Sequence, residues 1–478
     1  MMPAAGPASW LSHWARRTPH RTALLTPSGE RLTFQQLDRR VDAVAAALAR
    51  RGVRRGVLVC VQSPDPLEVR LLRWAANRCD TAEALLDPQS PQAEVNRRLE
   101  VLGEDVLLLD PDGVSEVCAS AARAFRSSPD PRAPARVLFT TGSTGRPRAV
   151  LQLARHLRSA ARSNALARGL RPDDVVLAAL PPHHAAGSLF EDTALFVGGA
   201  LALMRQGAGG TSKRLLDALL LHRPDVVSLV PSLLSELVGD AEGAAALRVL
   251  RLLNYAGEAA HPDLVDRLVR EFPGELYRGY GLSEAGPLVA VLGDGDHRGA
   301  AAPPQAALGR PAPGVAVRLA PLGDGSSELQ VRSGHVMDRY LNDPEATEAA
   351  LQDGWLRTGD LVSLSGGVLM HCGRLGNRIR SGAEWIDLDE VRRAREGAPA
   401  VVSAAVVAVP SARWGQRPVA FVTGTGDLSL SRVHRHLAAE LARFKRPDLI
   451  RVVTGLPRTA AGKVDHDLLR GMAGSASE

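Results

Sequence analysis

The chain has 478 residues, 45% of them hydrophobic and 4% aromatic, a length that one hydrophobic core does not serve and that predicts two or more domains. Its formal net charge of +6 is carried by scattered arginines instead of a basic stripe, which argues against a nucleic-acid partner. No run approaches eighteen apolar residues, no basic-then-apolar leader opens the chain, and Cys60, Cys79, Cys118 and Cys372 stand far apart without a C-x-x-C pair. The expectation is a cytoplasmic enzyme with free thiols, no structural zinc and no membrane partner.

In chain order, Leu37 to Leu48 repeats apolar residues at three and four and predicts an amphipathic helix, and Val57 to Val61 predicts a buried strand. Ser127 to Pro134 reads as an exposed proline-rich connector. After the apolar run Val137-Leu138-Phe139 comes Thr140-Thr141-Gly142-Ser143-Thr144-Gly145-Arg146-Pro147-Arg148-Ala149. Its hydroxyls and arginines can donate to an anion, and its glycines let the backbone approach one. The spacing is not that of a Walker A loop, and a surface turn is the plainer alternative.

From 150 to 290 continuous apolar strands (Val175 to Leu180, Val226 to Val230) alternate with helices (Lys213 to His222, Pro262 to Phe272). That pattern predicts a parallel sheet covered on both faces, with ligands at the carboxyl ends of its strands. Leu180-Pro181-Pro182-His183-His184-Ala185-Ala186-Gly187 and Leu253-Asn254-Tyr255-Ala256-Gly257-Glu258 fall there. Gly293 to Asp296 reads as a turn, Gly309 to Gly314 as a loop, Glu328 to Arg332 as a half-exposed strand, and Tyr340 to Thr347 as the opening of a helix. Of the basic residues only Lys213, Lys445 and Lys463 are lysine, so each surviving lysine asks for a reason.

The order T-T-G-S-T-G-x-P-R resembles the phosphate loop of the adenylate-forming superfamily, which comprises acyl-CoA synthetases, peptide-synthetase adenylation domains and luciferases. Further segments match in order: Tyr280-Gly281-Leu282-Ser283-Glu284, Thr358-Gly359-Asp360, Gly373 to Ile386, and Pro457-Arg458-Thr459-Ala460-Ala461-Gly462-Lys463. The closest likeness is to acyl- or aryl-CoA synthetases. The resemblance implies that Thr140, Thr141, Gly142, Ser143, Thr144, Gly145 and Arg148 hold the ATP phosphates, Tyr280 stacks on adenine, Ser283 reaches the α-phosphate and Glu284 binds Mg2+. It also implies Asp360 and Arg374 on the ribose, Gly376 as a hinge pivot, and Lys463 as the catalytic amine between the acid and the α-phosphate. The acid pocket would be lined by His184, Ala185, Tyr255, Ala256 and Gly257, with His183 a loop residue. Ala185 stands where amino-acid-activating relatives carry an aspartate, which disfavours an α-amino acid, since a buried ammonium needs a partner. Departures from the family pattern are Arg148, Ala149, Gly376, Ala383, and the glycine-free turn Arg78-Cys79-Asp80-Thr81-Ala82.

The expected fold class is α/β: a large N-terminal domain, residues 1–375, with parallel-rich sheets covered by helices, and a small mobile α+β domain, residues 376–478, carrying Lys463. The implied activity is ATP- and Mg2+-dependent conversion of a carboxylic acid to an acyl-adenylate with release of pyrophosphate, then transfer to CoA or to the phosphopantetheine thiol of a carrier protein. Two alternatives stand beside it, adenylation of a small acid such as nitrite for coupling to an amine, and a catalytically weak nucleotide-binding or carrier-docking homologue.

Overall fold

Short apolar runs between amphipathic helices build two sheets in the first 311 residues of the computed structural model, which describes residues 6–120, 125, 130–141, 147–205, 210–258, 260–299, 304, 306–323, 325–381, 384–398, 400–411, 415–426, 428–447, 449–458 and 464–474. Six strands of the first sheet run parallel, in the spatial order Glu275–Tyr280, Leu252–Ala256, Val226–Leu229, Val175–Ala178, Ala200–Leu203, Thr22–Leu25. Antiparallel partners flank them, Ala290–Leu292 and Ala307–Pro311 on one side and Arg31–Thr33 on the other. In the second sheet Val106–Leu109, Leu58–Val61, Glu83–Leu85 and Pro134–Thr141 are parallel, and Pro134–Thr141 folds back antiparallel on Pro147–Leu153. The continuous apolar runs are buried on both faces, as parallel strands under helices require.

Local chemistry fixes the helices. Thr33 and Gln36 form a reciprocal capping box at the start of Phe34–Arg50. Asp65 caps Pro66–Arg78 through two backbone N–H groups. The glycine-free turn after that helix is made by Asp80, which takes the left-handed conformation at φ 52°, a region that aspartate tolerates better than most side chains.

Several local expectations are corrected. Ala133 is buried and Pro134 already belongs to a strand, so the connector before the Thr/Gly segment ends inside the sheet. Gly293–Asp296 lies at the head of a four-residue helix, Asp294–His297, because Asp296 reaches back to the Gly293 N–H at 3.0 Å. Gly309 to Pro311 is strand, held by pairing with Ala290 and Val291. Glu328 to Val331 is buried throughout, and its polar members are satisfied: Glu328 Oε1 accepts from the Gly359 N–H at 3.0 Å, and Gln330 Oε1 from Arg318 Nε at 2.7 Å.

One feature of the interior is absent from the sequence reading. Arg70 and Arg73 from the Pro66–Arg78 helix, Glu83 and Arg136 from adjacent strands, and Glu191 and Asp192 from the helix Ala185–Val197 form a buried six-membered ion network. Arg73 meets Glu191 and Asp192 at 2.6 Å each, and Arg136 meets Glu83 and Asp192 at 2.9 Å each. Three cations face three anions, so no charge in it stands alone.

The chain divides into two compact units. The first holds Met1–Arg318, Gln330–Thr358 and Ser365–Leu369, and the second Leu319–Leu329, Gly359–Leu364 and Met370–Glu478. In the second, strands Glu384–Asp387, Arg378–Ser381, Gly415–Gly424 and Val401–Ser411 follow one another in an antiparallel sheet, with Leu449–Val452 parallel to Gly415–Gly424. Helices Leu388–Glu396 and Leu430–Glu440 cover one face through Val391, Val433 and Leu437, and Leu469 of the helix His466–Gly474 packs with Phe421. Lys445 is clamped by both carboxylate oxygens of Glu390, at 2.7 and 2.8 Å.

Candidate active site

The carboxyl ends of the parallel strands in the first unit carry most of the expected residues. Strand Glu275–Tyr280 ends on Tyr280, and a 3-10 turn, Ser283–Ala285, follows at once. The turn is locked from behind. Gly286 adopts φ 66°, and a Cβ there would lie 2.2 Å from the His335 carbonyl oxygen, so only glycine fits. The Glu284 carbonyl accepts from the Met337 N–H at 2.8 Å.

The Glu284 carboxylate is the focus of a cluster. Its Oε1 accepts from Tyr340 Oη at 3.0 Å and from Thr140 Oγ1 at 3.4 Å. Arg148 sets its guanidinium carbon 5.3 Å from the centre of the Tyr340 ring, a cation–π contact, and approaches Asp343 at 4.0 Å. Burial and the neighbouring Glu284 carboxylate raise the Tyr340 pKa, so the phenol stays a donor. Thr140, Arg148 and Glu284 are therefore brought together. Tyr340 is a member that sequence reasoning missed, having placed it only at the head of a helix. Its signal was an aromatic two positions before the Asn342-Asp343-Pro344 helix start.

On the acid side, His184 stands at the N-cap position of the helix Ala185–Val197 without a capping bond from its side chain, and its ring lies 4.5 Å from that of His183. A Cβ on Gly187 would fall 2.4 Å from the Pro181 carbonyl oxygen, so glycine lets this helix start settle onto the preceding loop. His183 lies in the turn before this helix; burial foremost, then Arg98 and Arg70, push its pKa down to about 4, and the ring is neutral at pH 7. Ala256 and Gly257 close the strand Leu252–Ala256. The Tyr255 side chain is turned away from them into the core, where its hydroxyl meets His297 Nε2 at 2.9 Å. The pleat explains this, since neighbours along a strand face opposite sides.

In the second unit Asp360, within the strand Trp355–Ser365, pairs with Arg374 at 3.1 Å. The two residues implied for the ribose therefore meet. Gly376 sits in the 3-10 turn Leu375–Asn377, where an added Cβ would touch nothing within 4 Å. Gly142, Ser143, Thr144, Gly145, Ala383 and Lys463 lie outside the described residues, as does the side chain of Thr141.

With this geometry in place, the comparison with known proteins is specific. Residues 11–341 match the model of the AMP-binding enzyme, and residues 394–463 that of the AMP-binding enzyme C-terminal domain. The chain belongs to the AMP-binding enzyme family. Among its curated relatives, 4-chlorobenzoate–CoA ligase of Arthrobacter sp is 30% identical, the match covering 98% of this chain and 94% of the relative. 2-Succinylbenzoate–CoA ligase of Bacillus mycoides (strain KBAB4) is also 30% identical over 97% and 98%. Among solved structures, o-succinylbenzoate CoA synthetase of Bacillus subtilis in complex with ATP and magnesium ion superposes with a TM-score of 0.84 at 25% identity, covering 96% of this chain and 98% of the other.

As a member of the AMP-binding family, this protein is an AMP-forming acid–thiol ligase that activates a carboxylic acid to an acyl-adenylate using ATP and Mg2+. The relatives do not favour nitrite adenylation or a catalytically weak homologue. The residues suit a nucleotide-borne metal. Among the described residues no group of three or more His, Cys, Asp or Glu could hold a cation, while Glu284 offers a single hard carboxylate with hydroxyls beside it. Mg2+ is commonly bound in that way, through one or two carboxylates, with phosphate and water supplying the other ligands. Among the described residues no helix is long and apolar enough to cross a membrane.

Proposed function

We propose that this protein is an aryl-CoA ligase of the cytoplasm, joining an aromatic carboxylic acid to CoA through its adenylate. The observation that carries this reading is the 30% identity, over 98% of the chain, with a ligase named for an aromatic acid and CoA. Ala185 at the head of the Ala185–Val197 helix adds to it, since an α-amino acid would find no carboxylate at that position.

In the first half-reaction a carboxylate oxygen of the acid attacks the α-phosphorus of ATP and the bond to the β-phosphate breaks, releasing pyrophosphate. In the second the CoA thiol attacks the acyl carbon and AMP leaves. Thr140 to Gly145 and Arg148 hold the phosphates, Glu284 binds the Mg2+ that neutralises them, Ser283 donates to the α-phosphate, Tyr280 stacks on adenine, and Asp360 with Arg374 takes the ribose. The contacts of Thr140 and Tyr340 with Glu284 support this set, and so does the ion pair between Asp360 and Arg374. Lys463, a compact ammonium on a flexible stem, neutralises acid and α-phosphate together. The functional division is residues 1–375 for nucleotide and acid and residues 376–478 for the mobile part that carries Lys463 about Gly376, although Asp360 and Arg374 belong by packing to the second compact unit. No nucleic acid takes part.

A pyrophosphate-release assay over a panel of aryl, fatty and amino acids, each with CoA or with a phosphopantetheinylated carrier protein, tests the reading. Pyrophosphate release with aryl acids, and formation of the CoA thioester with release of AMP, is the expected result. Thioester on the carrier protein alone, or turnover confined to amino or fatty acids, overturns it.

A further inference from the structure

Arg168 is the last residue of the helix Ala154–Arg168, a place where a basic side chain ordinarily lies in solvent beside the helix C-terminus. Here it is 1% exposed. Its Nε donates to Asn254 Oδ1 at 3.0 Å and its Nη1 to Asn164 Oδ1 at 2.5 Å. Asn254 passes the chain on to Ser228 Oγ at 2.8 Å, Asn164 to Thr193 Oγ1 at 2.9 Å, and the Phe190 ring lies 5.4 Å from the guanidinium carbon. All these partners are neutral, and among the described residues no carboxylate pairs with Arg168. The contrast with Arg70, Arg73 and Arg136, which meet carboxylates in the same interior, is direct. Burial pulls the Arg168 pKa down to about 9, so at pH 7 the group is still a cation. A lone buried charge costs several kcal/mol.

The Nη2 end of the guanidinium has a definite location. Nη2 lies 2.8 Å from the point a Cβ on Gly279 would occupy, and that point is 3.6 Å from the Ala256 Cβ. The charge therefore sits between the carboxyl ends of strands Leu252–Ala256 and Glu275–Tyr280, one residue before Tyr280 and against Ala256 of the acid pocket. Glycine at 279 is what lets the guanidinium lie there, because a Cβ would press on Nη2. Phe190 and Ser228, which hold the network, also line a cavity of about 10 Å3 with Gly187 and Leu180, room for about one water.

We infer that Arg168 is a specificity-determining residue of the acid site, which binds a second anionic group, such as a distal carboxylate, on the acid being activated. The inference rests on the adenylation reading and adds to it the class of acid. An arriving carboxylate supplies the counter-ion that the fold withholds, accepting a charge-assisted hydrogen bond from Nη2, since Nε and Nη1 already donate to Asn254 and Asn164. A neutral analogue leaves the charge buried and unpaired, and sites built around such polar groups reject analogues strongly.

The test uses the full chain, ATP, Mg2+ and pyrophosphate release, with aryl diacids set against their monomethyl esters. The wild type is expected to favour the diacid in kcat/KM by roughly thirtyfold or more, a conservative share of such discrimination. Arg168→Met should bring the ratio to about threefold or less through a rise in KM for the diacid, leaving the ester within about threefold of wild type, and Arg168→Lys should keep part of the preference. Equal handling of diacid and ester by the wild type overturns the inference. An equal loss for both acids in Arg168→Met also overturns it, because the arginine would then serve the adenylate common to all acids. If Arg168→Met does not fold, the wild-type ratio decides. Absence of pyrophosphate release from every acid overturns the adenylation reading, and this inference with it.

Discussion

Tyr340 donates its hydroxyl to Glu284 Oε1 at 3.0 Å, across 56 positions of sequence. The phenol thus orients the carboxylate proposed to meet the metal. Hydrogen bonds to charged groups contribute about 1.5–3 kcal/mol, and exposing the lone pair to water returns part of that. Tyr340→Phe should raise the KM for MgATP about tenfold with a smaller change in KM for the acid. An unchanged KM for MgATP in steady-state pyrophosphate release would remove the residue from the site.

Lys463→Ala should abolish adenylate formation while sparing attack of the thiol on a supplied acyl-adenylate, because only the first half-reaction brings two anions together. Single-turnover thioester formation from synthetic adenylate distinguishes the outcomes. Equal loss in both half-reactions argues against the bridging role.

The buried ion network makes a stability prediction. Asp192 bonds both Arg73 and Arg136, so Asp192→Ala leaves excess positive charge in the interior. A loss of about 3–5 kcal/mol is expected from breaking such a network, read as a lower urea midpoint. Double replacement of Arg136 and Asp192 by apolar residues of similar size should cost less than Asp192→Ala alone.

Acid should weaken the fold through a buried histidine. His156 is buried, accepts the Leu153 N–H through Nδ1 at 3.3 Å, and has its pKa pushed down to about 4, by burial first and then by Arg155. The unfolded chain takes up that proton near pH 6.5. The stabilisation is therefore complete above pH 6.5 and is lost as pH falls toward 4, by up to roughly 3 kcal/mol for this one group. Urea unfolding at several pH values should show the slope, and His156→Gln should flatten it in part, since His183 is held down to about 4 as well.

The sequence made the parallel sheet legible because runs such as Val226 to Leu229 are apolar without interruption, and only burial on both faces explains that pattern. Local motifs single out Glu284, Asp360 and Arg374 without knowledge of packing, and the structure brings Thr140 to Glu284 and Arg374 to Asp360. The ion network was not. Arg70 and Arg73 look like a solvated helix face until Glu191, more than a hundred residues later, folds against them. Tyr255 misled for a related reason, since the motif marks the strand end and the pleat decides which side chains face the ligand. Asp80 shows the reverse case, an apparent defect in the pattern that the backbone absorbs at φ 52°.

The clamp on Lys445 has a practical use. Of the three lysine amines in the chain, Lys213 is exposed on a helix and Lys445 is held by both oxygens of Glu390. Brief treatment with an amine-reactive ester should therefore tag Lys213 readily and Lys445 slowly, and the remaining lysine can be followed by mass spectrometry against those two internal standards as nucleotide and acid are added. A chain written almost wholly in arginine carries its own sparse set of reporters.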